Sequence, residues 1–173
     1  MQTGLIGHLP AITVVVAFLL TALLAATAVI ARHRWVILRV PARLESVRPL
    51  ADTLDECVRQ AQFDDQAAFH CRLALDEACA NIIKHSYDND PQGEIEARIR
   101  INPGMCEIRL TDFGKPYDPA HVVPPTVGMP VEDITPGGLG LHLMRTVMDE
   151  VRYTAGPNGN CLVLVKRRQA HQS

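Results

Sequence analysis

Glu94-Ile95-Glu96-Ala97-Arg98-Ile99-Arg100-Ile101, then Asn102-Pro103-Gly104-Met105, then Cys106-Glu107-Ile108-Arg109-Leu110, is the stretch that decides the fold. Ile95, Ala97, Ile99 and Ile101 fall on one face of an extended chain, and Glu94, Glu96, Arg98 and Arg100 on the other. Asn102 to Met105 carries Pro and Gly at the two central positions that a type II turn prefers. Cys106, Ile108 and Leu110 continue the inward face of a partner strand. One face of this hairpin is polar, so helices are expected to cover the sheet on the other side only.

Working outward, Val36 to Val40 is a short apolar run closed by Pro41, which reads as a strand. Leu44, Val47, Leu50, Leu54 and Val58 have helical spacing. Asp64-Asp65 interrupt that pattern, and a second helix is expected from about Gln66 to Tyr87, stopped by Asn89-Asp90-Pro91-Gln92-Gly93. After the hairpin, Asp112 to Pro136 holds six prolines and little periodicity, as a long loop does, with a short helix expected near Ala120. Leu139 to Met148 reads as a helix. Val151 to Ala155 and Cys161 to Lys166 flank Gly156-Pro157-Asn158-Gly159 as a second hairpin. The expected fold is α+β: a two-layer sandwich with a mixed, mostly antiparallel sheet covered on one face by helices.

The 173-residue chain has a net charge of -2, so no basic excess points to direct contact with nucleic acid. Its five cysteines, Cys57, Cys71, Cys79, Cys106 and Cys161, include no C-x-x-C pair and read as reduced thiols. The first charged side chain is Arg32. Residues 9–31 are 23 uncharged residues, which as a helix would cover about 34 Å, enough for a bilayer core. Arg32, His33 and Arg34 follow, so a single transmembrane helix is expected with the rest of the chain in the cytoplasm. Two other readings are a misassigned start codon, which leaves a cytoplasmic protein, and a cleavage site at Ala26-Thr27-Ala28. The expected organisation is an N-terminal segment 1–34 and a domain 35–173.

Three groups of residues could carry chemistry. Glu77, Asn81 and His85 lie at i, i+4 and i+8 of the second helix and would share a face, with Leu73, Leu75, Ala78, Ile82 and Ile83 on the other side. A Glu and an Asn one turn apart suit a hard cation, and the Glu could serve as a general base. Asp112-Phe113-Gly114 stands where a strand runs into the long loop, and its carboxylate could accept from an exocyclic amine. Gly137-Gly138-Leu139-Gly140-Leu141 opens a helix whose N-terminus favours an anion. Taken singly, these are also what a solvated helix face, an ordinary turn and a hinge would present. The Walker, Rossmann, H-E-x-x-H and G-x-S-x-G patterns are absent.

In this order and spacing the motifs resemble the Bergerat-fold (GHKL, histidine-kinase-like) ATP-binding superfamily of gyrase, mismatch-repair and histidine kinase ATPases. Within it the chain is most similar to the anti-sigma-factor serine/threonine kinases. The resemblance rests on Leu38-Arg39-Val40-Pro41-Ala42, Asp76-Glu77-Ala78 through Asn81 to His85-Ser86-Tyr87, Asp112-Phe113-Gly114 with Tyr117-Asp118-Pro119, Gly138-Leu139-Gly140-Leu141 and Met148-Asp149-Glu150-Val151. It implies ATP and Mg²⁺ as cofactors, Glu77 as general base and Asn81 as a Mg²⁺ ligand. It further implies that Asp112 contacts the adenine amine, that Gly114 and Tyr117 help shape the base pocket, and that Gly138, Leu139, Gly140 and Leu141 meet the phosphates. The loop between Asp118 and Gly137 would be the ATP lid. Lys84 and His85 are expected at the nucleotide as well. The sequence departs from the pattern twice. No Lys or Arg occurs from Pro116 to Leu143, so Lys84, Lys115, His142 or Arg145 would have to face the phosphates. Asn160-Cys161 stand where relatives often have a Thr near the base.

The implied activity is phosphorylation of an anti-anti-sigma (STAS-type) protein on Ser or Thr, with a sigma factor as the sequestered partner. A homodimer is compatible with the resemblance. The other reading, drawn from the uncharged lid, is a nucleotide-gated partner-binding module with little or no kinase activity.

Overall fold

Among the described residues, five strands form one sheet: β1 (Val36–Pro41), β2 (Glu94–Asn102), β3 (Met105–Asp112), β4 (Glu150–Gly156) and β5 (Gly159–Arg167). The computed structural model describes residues 35–102, 104–116 and 138–168, together with 16 and 19–21. The chain divides into two compact units, Met1–Arg34 and Trp35–Ser173. The expected membrane segment 9–31 lies outside the described residues apart from residues 16 and 19–21. Among the described residues no helix is long and apolar enough to cross a membrane. Tyr117, the expected short helix near Ala120 and the expected lid also lie outside them.

The strand order is β1-β2-β3-β5-β4, and every pairing is antiparallel. This corrects the expectation of a mixed sheet. β3 and β4 run in the same direction, since both are antiparallel to β5, but β5 lies between them and they never pair. The β2–β3 hairpin forms in the register that the alternation predicts, with Ile99 opposite Ile108 and Ala97 opposite Leu110. At its turn Asn102 Oδ1 accepts from the N–H groups of Gly104 and Met105, both at 2.9 Å. Pro103 is outside the described residues, and with it the expected turn type.

Among the described residues of 35–173, three α-helices accompany the sheet: α1 (Val47–Gln60), α2 (Asp65–Asn81) and α3 (Gly138–Val147). Asp64 caps α2, its side chain accepting from the Ala67 N–H at 2.7 Å. The Asp64-Asp65 pair therefore starts a helix as well as interrupting a pattern. Leu50, Leu54, Leu75, Ile95, Ile99, Ile108, Leu110 and Leu164 are fully buried in one core between helices and sheet. Cys71, Cys79 and Cys106 lie in the same core, and all five thiols are unbridged. Burial pushes the Cys79 thiol up to about 12, as expected of an inert packing residue.

The other face of the sheet is charged, but it is not a simple solvated surface. Glu96 and Glu107 are only 7% and 3% exposed. Each carboxylate bridges two arginines, one oxygen to each. Glu96 accepts from Arg39 at 2.8 Å and Arg98 at 2.6 Å; Glu107 accepts from Arg100 at 2.5 Å and Arg109 at 2.7 Å. The Trp35 ring meets the Arg100 and Arg109 guanidinium groups at 4.6 and 4.8 Å from its centre. The bonds from Arg98 and Arg39 hold the Glu96 carboxyl below its ordinary range. Burial pushes Glu107 up, and the bonds from Arg100 and Arg109 outweigh it, so that carboxyl is also held low.

A carboxylate held below its unfolded value stabilises the fold above that value, and the contribution is lost as pH falls through the folded one. The domain is therefore expected to weaken in acid, from about pH 4 downward. Glu107→Gln should flatten that acid limb. It should also lower the unfolding free energy at pH 7 by about 1–3 kcal/mol, because two partly buried guanidinium groups lose their charged acceptor. Urea denaturation of both proteins at pH 7 and pH 3 checks this; equal acid sensitivity would count against it.

Candidate nucleotide-binding site

α2 carries Glu77 and Asn81 one turn apart, and the first turn of α3 packs directly over them. A Cβ placed on Gly140 would lie 2.6 Å from Glu77 Oε2 and 3.3 Å from Asn81 Nδ2. Only glycine lets α3 come this close. Gly140 thus brings together the Glu and Asn of one motif and the glycines of another. Gly138 is the first residue of α3, so the glycines do open a helix, as the sequence suggests. Leu141 is buried beside them, whereas Leu139 is 59% exposed.

The helix containing Glu77 does not continue as an α-helix to Tyr87. Residues Ile82–Ser86 form a π-helical turn, closed by the Tyr87 N–H donating to the Ile82 carbonyl at 3.2 Å. In such a turn the repeat is nearer i+5 than i+4. Ser86 therefore follows Asn81 along the helix face where an α-helix would have placed His85. Ser86 is 5% exposed and lines the pocket; Lys84 is exposed, and neither Lys84 nor His85 is among its described lining residues. The expected alignment of His85 with Glu77 and Asn81 gives way to this change of pitch. Burial holds the His85 imidazole below its ordinary range, helped by Lys84 and opposed by Asp88. Positive φ at Asp88 and Asn89, 50° and 65°, then ends the helical segment.

Asp112, the last residue of β3, is 2% exposed. Its Oδ1 accepts from the Gly114 N–H at 3.0 Å and from Asn160 Nδ2 at 2.9 Å. Gly114 lies against the Ser86 backbone, leaving no room for a Cβ, and the Lys115 N–H donates to the Ser86 carbonyl at 2.8 Å. The Tyr87 hydroxyl donates to the Glu94 carbonyl at 2.8 Å and accepts from the Phe113 N–H at 2.9 Å. The strand end is thereby tied to the π turn. Lys115 pairs with Asp88 on the surface, away from the described pocket lining.

Between these elements lies a slot with polar groups from Asn81, Ser86, Asp112, Arg145 and Tyr153. Its apolar walls come from Ala78, Ile82, Leu141, Met144, Val151 and Leu162. Apolar walls with a few convergent polar groups suit a flat heteroaromatic ring with a charged tail. The Glu77 and Asn81 side chains meet beside Gly140, and both offer oxygen donors. Among the described residues no group of three or more His, Cys, Asp or Glu could cage a metal. Mg²⁺ usually takes one or two protein oxygens completed by phosphates and water, and the oxygens of Asn81 and Glu77 fit that ion.

Several lining residues escape sequence reasoning. Ser86 depends on the π turn, which no periodicity announces. Val151, Tyr153 and Leu162 come from β4 and β5, strands whose pairing with β3 is non-local. Met144 was legible only as part of a helix face, three residues from Leu141, which the resemblance does place at the nucleotide.

Gly140→Ala is expected to weaken nucleotide binding at least tenfold, because Glu77 and Asn81 must move apart, with little change in melting temperature. Gly114→Ala should lower the melting temperature by several degrees, since its Cβ would meet the rigid Ser86 backbone. Calorimetric binding and thermal melts of the two variants check this; a reversed pattern would show that the glycine roles are wrongly divided.

The chain is similar to known proteins. A family model described as the histidine kinase-like ATPase domain matches residues 40–166. The serine-protein kinase RsbW of Bacillus subtilis (strain 168) is 31% identical over 122 residues, covering 68% of this chain and 76% of that protein. RsbW of Listeria innocua is 32% identical over 124 residues, covering 69% and 79%. A crystal structure of the RsbU and RsbW domains of a Mycobacterium tuberculosis protein aligns with a TM-score of 0.56 at 18% identity. It covers 79% of this chain but only 33% of that one, and at this identity it speaks for the fold alone. With its α+β layering, its Glu77–Asn81 helix face under Gly140 and its buried Asp112, the chain belongs to the histidine kinase-like ATPase family, on the branch of the RsbW serine-protein kinases.

Proposed function

We propose that the domain binds Mg-ATP in the slot between α2, α3 and the sheet and transfers the terminal phosphoryl group to a Ser or Thr hydroxyl of a partner protein. The observation that carries this reading is the convergence of Asn81, Asp112 and Leu141, from three separate motifs, on one apolar slot, with Glu77 beside Asn81 against Gly140. Asp112 would accept from the adenine amine at the closed end. Asn81 would supply a protein oxygen for Mg²⁺, which when bound neutralises phosphate charge. Glu77, next to it, would take the proton from the attacking hydroxyl. Arg145 is the one cation among the described lining residues, and it would face the phosphates in place of a lid arginine.

By the same reading the protein substrate is an anti-anti-sigma protein, and a sigma factor is the partner held when that protein is absent. Residues 9–31 would tether the domain 35–173 to the inner face of the membrane, which the uncharged run and the following Arg32-His33-Arg34 support. Cell fractionation with a C-terminal tag tests the tether, and a full-length soluble product would exclude it.

The second reading, nucleotide-gated binding without transfer, is favoured by the absence of Lys and Arg from Pro116 to Leu143. The two are separable. Glu77→Ala is expected to lower phosphate transfer by roughly 10²–10⁴-fold while leaving ATP affinity within a few-fold. Asn81→Ala should remove Mg²⁺-dependent binding. Labelled ATP and a candidate partner provide the assay. Transfer that persists in Glu77→Ala would rule out this base. Partner binding that survives loss of nucleotide in Asn81→Ala would rule out the gate.

A further inference from the structure

Asn160 stands near the start of β5, 3% exposed and directly across the ladder from Asp112. Its Nδ2 has three acceptors within reach: Asp112 Oδ1 at 2.9 Å, the Gly114 carbonyl at 3.2 Å and the Lys115 carbonyl at 3.3 Å. Three acceptors at one end of the amide decide which end is nitrogen. The opposite orientation would set a carbonyl oxygen against a carboxylate and two more carbonyls in a buried place, at a prohibitive cost. An amide also does what a hydroxyl at this position could not. It has two hydrogens to a hydroxyl's one, so it can hold the carboxylate and the following loop together.

The effect falls on Asp112. Oδ1 is used twice from within the protein, by the Gly114 N–H and by Asn160. The plane of the carboxylate is therefore pinned. Oδ2 is the oxygen these two bonds leave for a ligand, on a residue that lines the slot. A fixed acceptor welcomes a base with an exocyclic amine. A base with a carbonyl at the same position would face it with a second acceptor, and buried acceptor pairs are rejected strongly.

We propose that Asn160 is the positioning residue that sets base selectivity: it locks Asp112 as an acceptor, so that the slot takes a 6-amino purine and refuses a 6-oxo purine. This rests on the nucleotide reading above and deepens it. Without Asn160 the carboxylate can turn, and the two bases become more alike to the site.

The test compares ATP with inosine triphosphate, which carries a carbonyl in place of the amine, by titration of the full chain. The wild-type chain should prefer ATP. Asn160→Leu, similar in size but without a donor, should lose about tenfold in ATP affinity with little change for inosine triphosphate. Asn160→Ser, which retains one donor, should fall between them, and it carries the test if the leucine variant does not fold. Asn160→Asp sets two carboxylates in contact; they share a proton, the pair gains a donor, and inosine triphosphate should gain on ATP. Equal losses for both triphosphates, with their ratio unchanged in folded variants, would reduce Asn160 to a structural role and overturn the proposal. A wild-type chain that binds neither triphosphate would instead overturn the nucleotide reading, and the proposal with it.

Discussion

The junction at Ser86 is the contact on which the site depends. There the C-terminal end of the long helix meets the loop leaving β3. The Ser86 carbonyl accepts the Lys115 N–H, and Gly114 lies so close that no side chain could stand in its place. Two elements distant in sequence are thereby held as one wall. Asn81 and Asp112 gain a constant separation from it, one on the helix and one at the strand end. A nucleotide that spans base and phosphate needs that constancy more than it needs any single hydrogen bond.

The π turn is what makes the junction possible. An α-helix continued through Ile82–Ser86 would place different side chains toward the strand. The wider turn carries Ser86 under Asn81, and the Tyr87 hydroxyl ties Phe113 to Glu94. Single π turns inside helices often occur at functional sites because they re-aim side chains at the loss of regular bonding. Gly140 acts from the opposite side. It lets α3 rest on Glu77 and Asn81, so helix packing sets that pair while the sheet sets Asp112.

The far face of the sheet makes a different use of charge. Glu96 and Glu107 are nearly as buried as the apolar core, and each is satisfied by two arginines, one on its own strand and one on the neighbouring strand. These bridges cross β1–β2 and β2–β3 and hold the strands that end at Pro41 and Asp112. The sheet keeps one face dry with leucine and isoleucine and the other ordered with ion pairs. Neither face alone would position the strand end at Asp112 so closely.

Local pattern and pair geometry determined much of this protein. The alternation from Glu94 to Leu110 was enough for the hairpin and its register, because a one-residue slip would turn every isoleucine to the wrong face. The spacing of Glu77 and Asn81, and the place of Asp112 at a strand end, were legible for the same reason: both follow from the repeat of one local element. Tertiary structure alone decided the rest. It set β5 between β3 and β4, which made the sheet wholly antiparallel and brought Asn160 opposite Asp112. It replaced His85 by Ser86 through a change of helical pitch that leaves no mark on hydrophobic periodicity. It buried Glu96 and Glu107, which read as surface residues until the neighbouring strand brings each a second arginine. The sheet order and the Asp112–Asn160 contact join residues far apart in the chain, and a sequence pattern records only what neighbours impose on one another.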